Sequence, residues 1–74
     1  MDLSKATWRK ATDVNRVYAI FELLCDGVIL LDVGFSDSGV LEVAFHEGIT
    51  NVVAHWDMFL EVLGDGRKIA ESDK

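Results

Sequence analysis

Three stretches of this chain, 17 to 24, 28 to 35 and 40 to 46, gather Val, Ile, Leu and Phe in short runs with polar residues interspersed. Between them stand Asp26-Gly27 and Asp37-Ser38-Gly39, combinations that turn a chain between strands. The pattern predicts a three-stranded antiparallel meander. A three-residue Asp37-Ser38-Gly39 loop with Gly39 left-handed pairs Phe35 with Leu41, Val33 with Val43 and Leu31 with Phe45, so six apolar side chains share one face. A Cys25-Asp26-Gly27 loop of the same kind adds Val17, Ala19, Phe21 and Leu23. The competing two-residue Asp26-Gly27 turn sets Glu22 opposite Leu31 in the core, and the apolar solution is preferred because one slip reverses every side chain.

From Trp56 onward the period changes. Trp56, Phe59, Leu60, Leu63, Arg67 and Ala70 recur at three- and four-residue intervals, the signature of an amphipathic helix, which finds its cover on the apolar sheet face. Gly64 and Gly66 each cost about 1 kcal/mol relative to alanine inside a helix, but continuation past them is expected. Ile49, Val52 and Val53 fit either the same stripe, with Thr50 or Asn51 as cap, or a short strand. Residues 1–13 read as an N-terminal arm or a short helix capped by Ser4, with Trp8 anchored on the body. The expected fold is α+β: a single domain over residues 14–74 in which a three-stranded meander is covered on one face by a C-terminal helix (βββα).

With 74 residues, half of them hydrophobic and none proline, the chain is one small domain and too apolar for intrinsic disorder. No run approaches the ~18 apolar residues of a membrane span, and Met1 to Lys10 has no signal-peptide core. A soluble, cytoplasmic protein is expected. Cys25 is the only cysteine, which excludes an internal disulfide and any zinc site built from several thiolates.

The net charge of −6 is unevenly spread. Lys5, Arg9, Lys10 and Arg16 outweigh Asp2 and Asp13 at the start, whereas residues 17–66 hold no Lys or Arg beside Glu22, Asp26, Asp32, Asp37, Glu42, Glu47, Asp57, Glu61 and Asp65. Such a body repels phosphates, so neither nucleic acid nor a membrane is an expected partner. Trp8-Arg9-Lys10 mixes an aromatic with cations, but one aromatic beside an acidic body is a poor single-strand platform. The charge suits solubility, and beyond that a basic partner protein.

The same registers leave a second sheet face holding Glu22, Asp32, Glu42 and His46. A carboxylate beside an imidazole fixes its tautomer, as a general base or metal ligand requires. No nucleophile or oxyanion donors accompany the cluster, and partly solvated polar residues are the plainer reading. His46 and His55 are nine residues apart rather than the four that join two histidines on a helix, and Gly34 belongs to no phosphate-binding pattern. No metal or cofactor is expected. The apolar remainder of that face, Tyr18, Ile20, Leu24, Val28, Leu30 and Val40, calls for a cover, either the N-terminal arm with Leu3 and Trp8 over part of it or, covering more, a second copy of the chain with Leu30 near the centre. The leading expectation is a small acidic non-enzymatic interaction module, homodimeric through this face and able to bind or inhibit a basic protein. The alternative is a small metal-dependent hydrolase, or another enzyme, using Glu22, Asp32 and His46.

Overall fold

Four antiparallel strands rather than three form the sheet, and an 18-residue helix lies across one side of it. The computed structural model describes residues 1–74. Strands β1 (Thr7–Ala11), β2 (Ile20–Cys25), β3 (Val28–Phe35) and β4 (Leu41–Phe45) stand in sequence order, and α1 spans Trp56–Asp73. Short 3-10 turns at Leu3–Lys5 and Glu47–Ile49 precede β1 and follow β4.

The strand missing from the sequence reading is β1, within the stretch read as an arm or a Ser4-capped helix. It has one large apolar residue, Trp8, flanked by Thr7, Arg9 and Lys10, so its alternation carries little hydrophobic signal. Tertiary partners supply what propensity lacks. Trp8 stands opposite Leu23 and lies on α1 at Gly66, where a Cβ would come within 2.5 Å of the indole ring. The glycine that looks like a helix breaker is therefore the seat of Trp8. Arg9, opposite Glu22, reaches that carboxylate at 2.8 Å on the other side of the sheet, while Lys10 binds Asp73 at 2.8 Å. Charges on an exposed edge also discourage a further strand from pairing there.

Ahead of β1, Asp2 caps the first 3-10 turn, which delivers Leu3 to the core. Its carboxylate accepts hydrogen bonds from the Ser4 hydroxyl (2.6 Å) and the Ser4 N–H (3.0 Å). The hydroxyl bond first, and the backbone bond after it, hold the Asp2 carboxyl below the usual aspartate range. A folded-state value below the unfolded one means that this cap contributes at neutral pH and is lost as pH falls through the acid range. An NMR titration should place the Asp2 midpoint below that of an unstructured aspartate, and Ser4→Ala should move it upward.

The first hairpin departs from expectation in its turn and keeps its faces only in part. Phe21, Glu22 and Leu23 face as expected, but β2 starts at Ile20, which leaves Val17 69% exposed rather than in the core, and Val28, opposite buried Cys25, turns to the core side. Asp26 (φ 52°) and Gly27 (φ 77°) are both left-handed, the two-residue turn that Asp-Gly favours, and Cys25 pairs with Val28. The three-residue Cys25-Asp26-Gly27 loop is corrected. Between Leu24↔Ile29 and Leu23↔Leu31 the register shifts, so that Leu30 is an extra residue on β3. This bulge restores Phe21 and Leu23 to the side of Leu31 and Val33 and sends Glu22 to the other side, opposite Asp32. It also turns Leu30 inward to 1% exposure, so this residue is part of one chain's own core and not the centre of an exposed face. The second hairpin has the expected register, with Gly39 at φ 87° and Phe35↔Leu41, Val33↔Val43 and Leu31↔Phe45 in pairs.

Helix α1 continues through both glycines, packing over β2 and β3 with Met58, Phe59, Val62, Leu63, Ile69 and Ala70 against the core. His55 precedes it without a side-chain cap, and Val52 to His55 belongs to neither helix nor strand. Gly64, unlike Gly66, would meet nothing within 4 Å if it carried a Cβ. Gly64→Ala should therefore stabilise the protein by about 0.5–1 kcal/mol, read as a rise in the thermal midpoint.

Candidate functional site

Across the sheet face turned away from α1 runs a row of charged residues: Arg9, Glu22 and Asp32 occupy successive paired positions on β1, β2 and β3. His46, just past β4, joins them diagonally, its Nε2 2.6 Å from the Asp32 carboxylate. The sequence expectation of an acid beside His46 holds for Asp32. Glu22 instead stands next to Asp32, because the tight Asp26-Gly27 turn and the Leu30 bulge each advance its register by one residue, and it takes Arg9 as its partner through Nε (3.1 Å) and Nη2 (2.8 Å). Glu42 pairs with Gly34 and is exposed, apart from the other three.

What this row can do chemically is limited by its own pairing. Glu22 and Asp32 keep only 14% and 15% of their side chains exposed, and each already has a cation or an imidazole against it. The one hydrogen-bonded carboxylate–imidazole pair has no hydroxyl or thiol nucleophile among its bonded neighbours, and no group of three His, Cys, Asp or Glu side chains is arranged to hold a metal ion. Of the apolar residues expected on this face, Val28 stands instead opposite buried Cys25 and Tyr18 packs against the core, Val40 is exposed beyond the strands, and Ile20 and Leu24 are half-buried. Tyr18 packs edge-on against Phe35 at 5.9 Å, and Arg16 donates to the carbonyls of Tyr18 (3.1 Å) and Phe35 (3.0 Å).

An apolar opening lies on the helix side. Because α1 sits over β2 and β3, β4 is left bare: Phe45 is 62% exposed, Val43 nearly half exposed. The flank of α1 turned toward β4 is equally open. Leu63, Gly64 and Arg67 border a groove of about 340 Å³ whose other wall is Val33, Leu41 and Val43 with Glu42 at its rim. One and two turns earlier the same helix stripe presents Leu60 and Trp56, the latter 74% exposed. Sequence periodicity assigned Val43, Phe45, Trp56 and Leu60 to the core. The missed signal is width, since one helix of ~10–12 Å diameter cannot span four strands.

No helix of the chain is long and apolar enough to cross a membrane. Comparison with models of protein families, with curated proteins and with solved structures finds no match to this chain.

Proposed function

We propose that this chain is a non-enzymatic protein-interaction module that docks a basic protein along the open strip formed by β4 and α1. The observation that carries the reading is the exposure of Phe45, Trp56, Leu60 and Val43 on one side of so small a domain. Apolar surface retained in this way, at a hydration cost of roughly 25 cal/mol per Å², marks a place where another molecule is buried. The absence of any Lys or Arg between residues 17 and 66 gives the partner its sign.

Two other readings have less behind them. Homodimerisation through the opposite sheet face would desolvate the Arg9–Glu22 and Asp32–His46 pairs, at several kcal/mol per ion before any return, and Leu30 offers that face nothing. A hydrolase built on Glu22, Asp32 and His46 would have the Asp32–His46 pair that a general base uses, but no hydroxyl or thiol nucleophile is bonded to it and Glu22 is held by Arg9.

Phe45→Ser and Leu60→Ser alter exposed side chains and should leave the circular-dichroism spectrum intact. The expected result is a basic protein, captured by the wild type and rebuilt with it as a purified complex, whose binding falls about tenfold or more in each variant. Equal binding by both variants would remove the strip from the reading.

A further inference from the structure

The partner's form follows from the half-empty helix layer. The axes of β1 and β4 are about 14 Å apart at ~4.8 Å per strand, and α1 over the central pair leaves both margins uncovered. On the β1 side Trp8, seated on Gly66, and Lys10, held by Asp73, cover part of the margin and leave no large apolar side chain of β1 exposed. On the β4 side Ile49 and Val52 reach the core near Trp56, and the stretch beside Leu60, Leu63 and Arg67 has no further element over Val43.

Resting on the function proposed above, we infer that the strip binds a basic amphipathic helix of about three turns, laid beside α1 and over β4. A helix packed at ~8–10 Å from α1 has its axis almost directly above β4, which lies about 7 Å from the β2–β3 midline. It would rest on Val43 and Phe45 and lean on Trp56, Leu60 and Leu63. The two walls agree in length. Trp56 to Arg67 extends about 16 Å at ~1.5 Å per residue, and the five residues of β4 about 17 Å at ~3.3 Å each, both the length of roughly eleven helical residues.

Charge selects which helix. Glu42 stands at the rim of the groove, Glu47 opens the turn that follows β4 and Asp57 lies next to Trp56 in α1, while the one cation lining the groove, Arg67, is held by Glu71 at 3.0 Å. Lysines or arginines along the solvent-facing flanks of the incoming helix meet carboxylates at either border. A strand added to the edge of β4 satisfies backbone groups but leaves Trp56 and Leu60 bare, so the apolar surface favours a helix. A second copy of this chain brings its own charge of −6 and cannot supply those cations from residues 17–66.

The test uses the full chain and three labelled synthetic peptides of about fourteen residues, long enough for three turns once bound. One has leucines on a single helical face and lysines elsewhere, the second has glutamates in place of the lysines, and the third alternates leucine and lysine as a strand would. The lysine helix should bind with a 1:1 ratio, gain helicity on binding, weaken with added salt, and lose about tenfold or more in affinity to Phe45→Ser and to Trp56→Ser. Failure of that peptide to bind below about 1 mM, or equal binding by the other two peptides or by the variants, would overturn the inference. Light scattering on the unliganded chain separates the two claims. A dimer broken by Phe45→Ser would place a second copy on the strip, ending the inference while keeping an interaction module, whereas variants that change neither peptide binding nor self-association nor capture of a basic protein would end both.

Discussion

Leu30→Glu is expected to unfold the protein at 25 °C. Leu30 is 1% exposed, beside Leu31 and opposite Leu23, both fully buried, and its carbonyl accepts the His46 N–H that closes the end of β4. A glutamate there would place a carboxylate in the core with no cation facing it, in addition to removing the leucine's own packing. The combined loss, about 4 kcal/mol or more, equals the whole stability of many domains of this size at ~0.05–0.15 kcal/mol per residue. Val14→Glu, a matched change at a fully exposed residue, should shift stability by no more than about 0.5 kcal/mol. Circular-dichroism melting of the two variants decides it, and a folded Leu30→Glu protein would place the bulge residue at the surface.

Gly48→Ala should be the costliest of the glycine substitutions. A Cβ at Gly48 would lie 2.5 Å from the carbonyl oxygen of Ile29 and against the Val28 side chain, and a backbone oxygen within a sheet cannot rotate aside. The 3-10 turn would have to lift from β3, loosening Ile49 from the core. A loss of about 1–3 kcal/mol follows, equivalent to a fall in thermal midpoint of roughly 5–20 °C for a domain of this length. Gly66→Ala should cost less, because the obstacle there is the outer rim of the Trp8 ring. The opposite order of the two midpoints would show that the turn after β4 yields more readily than Trp8.

What the sequence disclosed depended on how local the deciding contact is. The second hairpin was legible residue by residue, since loop length and Gly39 determine its pairing within a dozen residues. The first was not, because the tight Asp26-Gly27 turn and the Leu30 bulge offset each other, and the bulge answers to core packing around Leu23 and Leu31. Either device alone would have turned Glu22 inward. Strand β1 was hidden for a related reason: its stabilising contacts, Leu23 and Gly66, lie far along the chain. Of the polar cluster, the Asp32–His46 pair was readable from the well-determined hairpin, while the Glu22–Arg9 pair required β1. The open strip could not be read from periodicity at all, as Phe45 and Trp56 have core-like spacing and are exposed only because α1 lies over β2 and β3.

The linear order of the strands bears on how such a chain is made. A ribosome delivers β1 to β4 before any part of α1, and each strand can pair with the one just released. The growing sheet therefore exists for a time with Phe21, Leu23, Leu31, Val33 and Phe35 all uncovered. Its cover arrives only with Phe59 to Ala70. Until then the nascent chain presents a fully apolar surface with one carboxylate-rich back, the kind of intermediate that chaperones hold and that aggregates at high concentration. A chain interrupted before Trp56 would keep that surface permanently, so messages truncated there should yield insoluble protein even though every strand is complete.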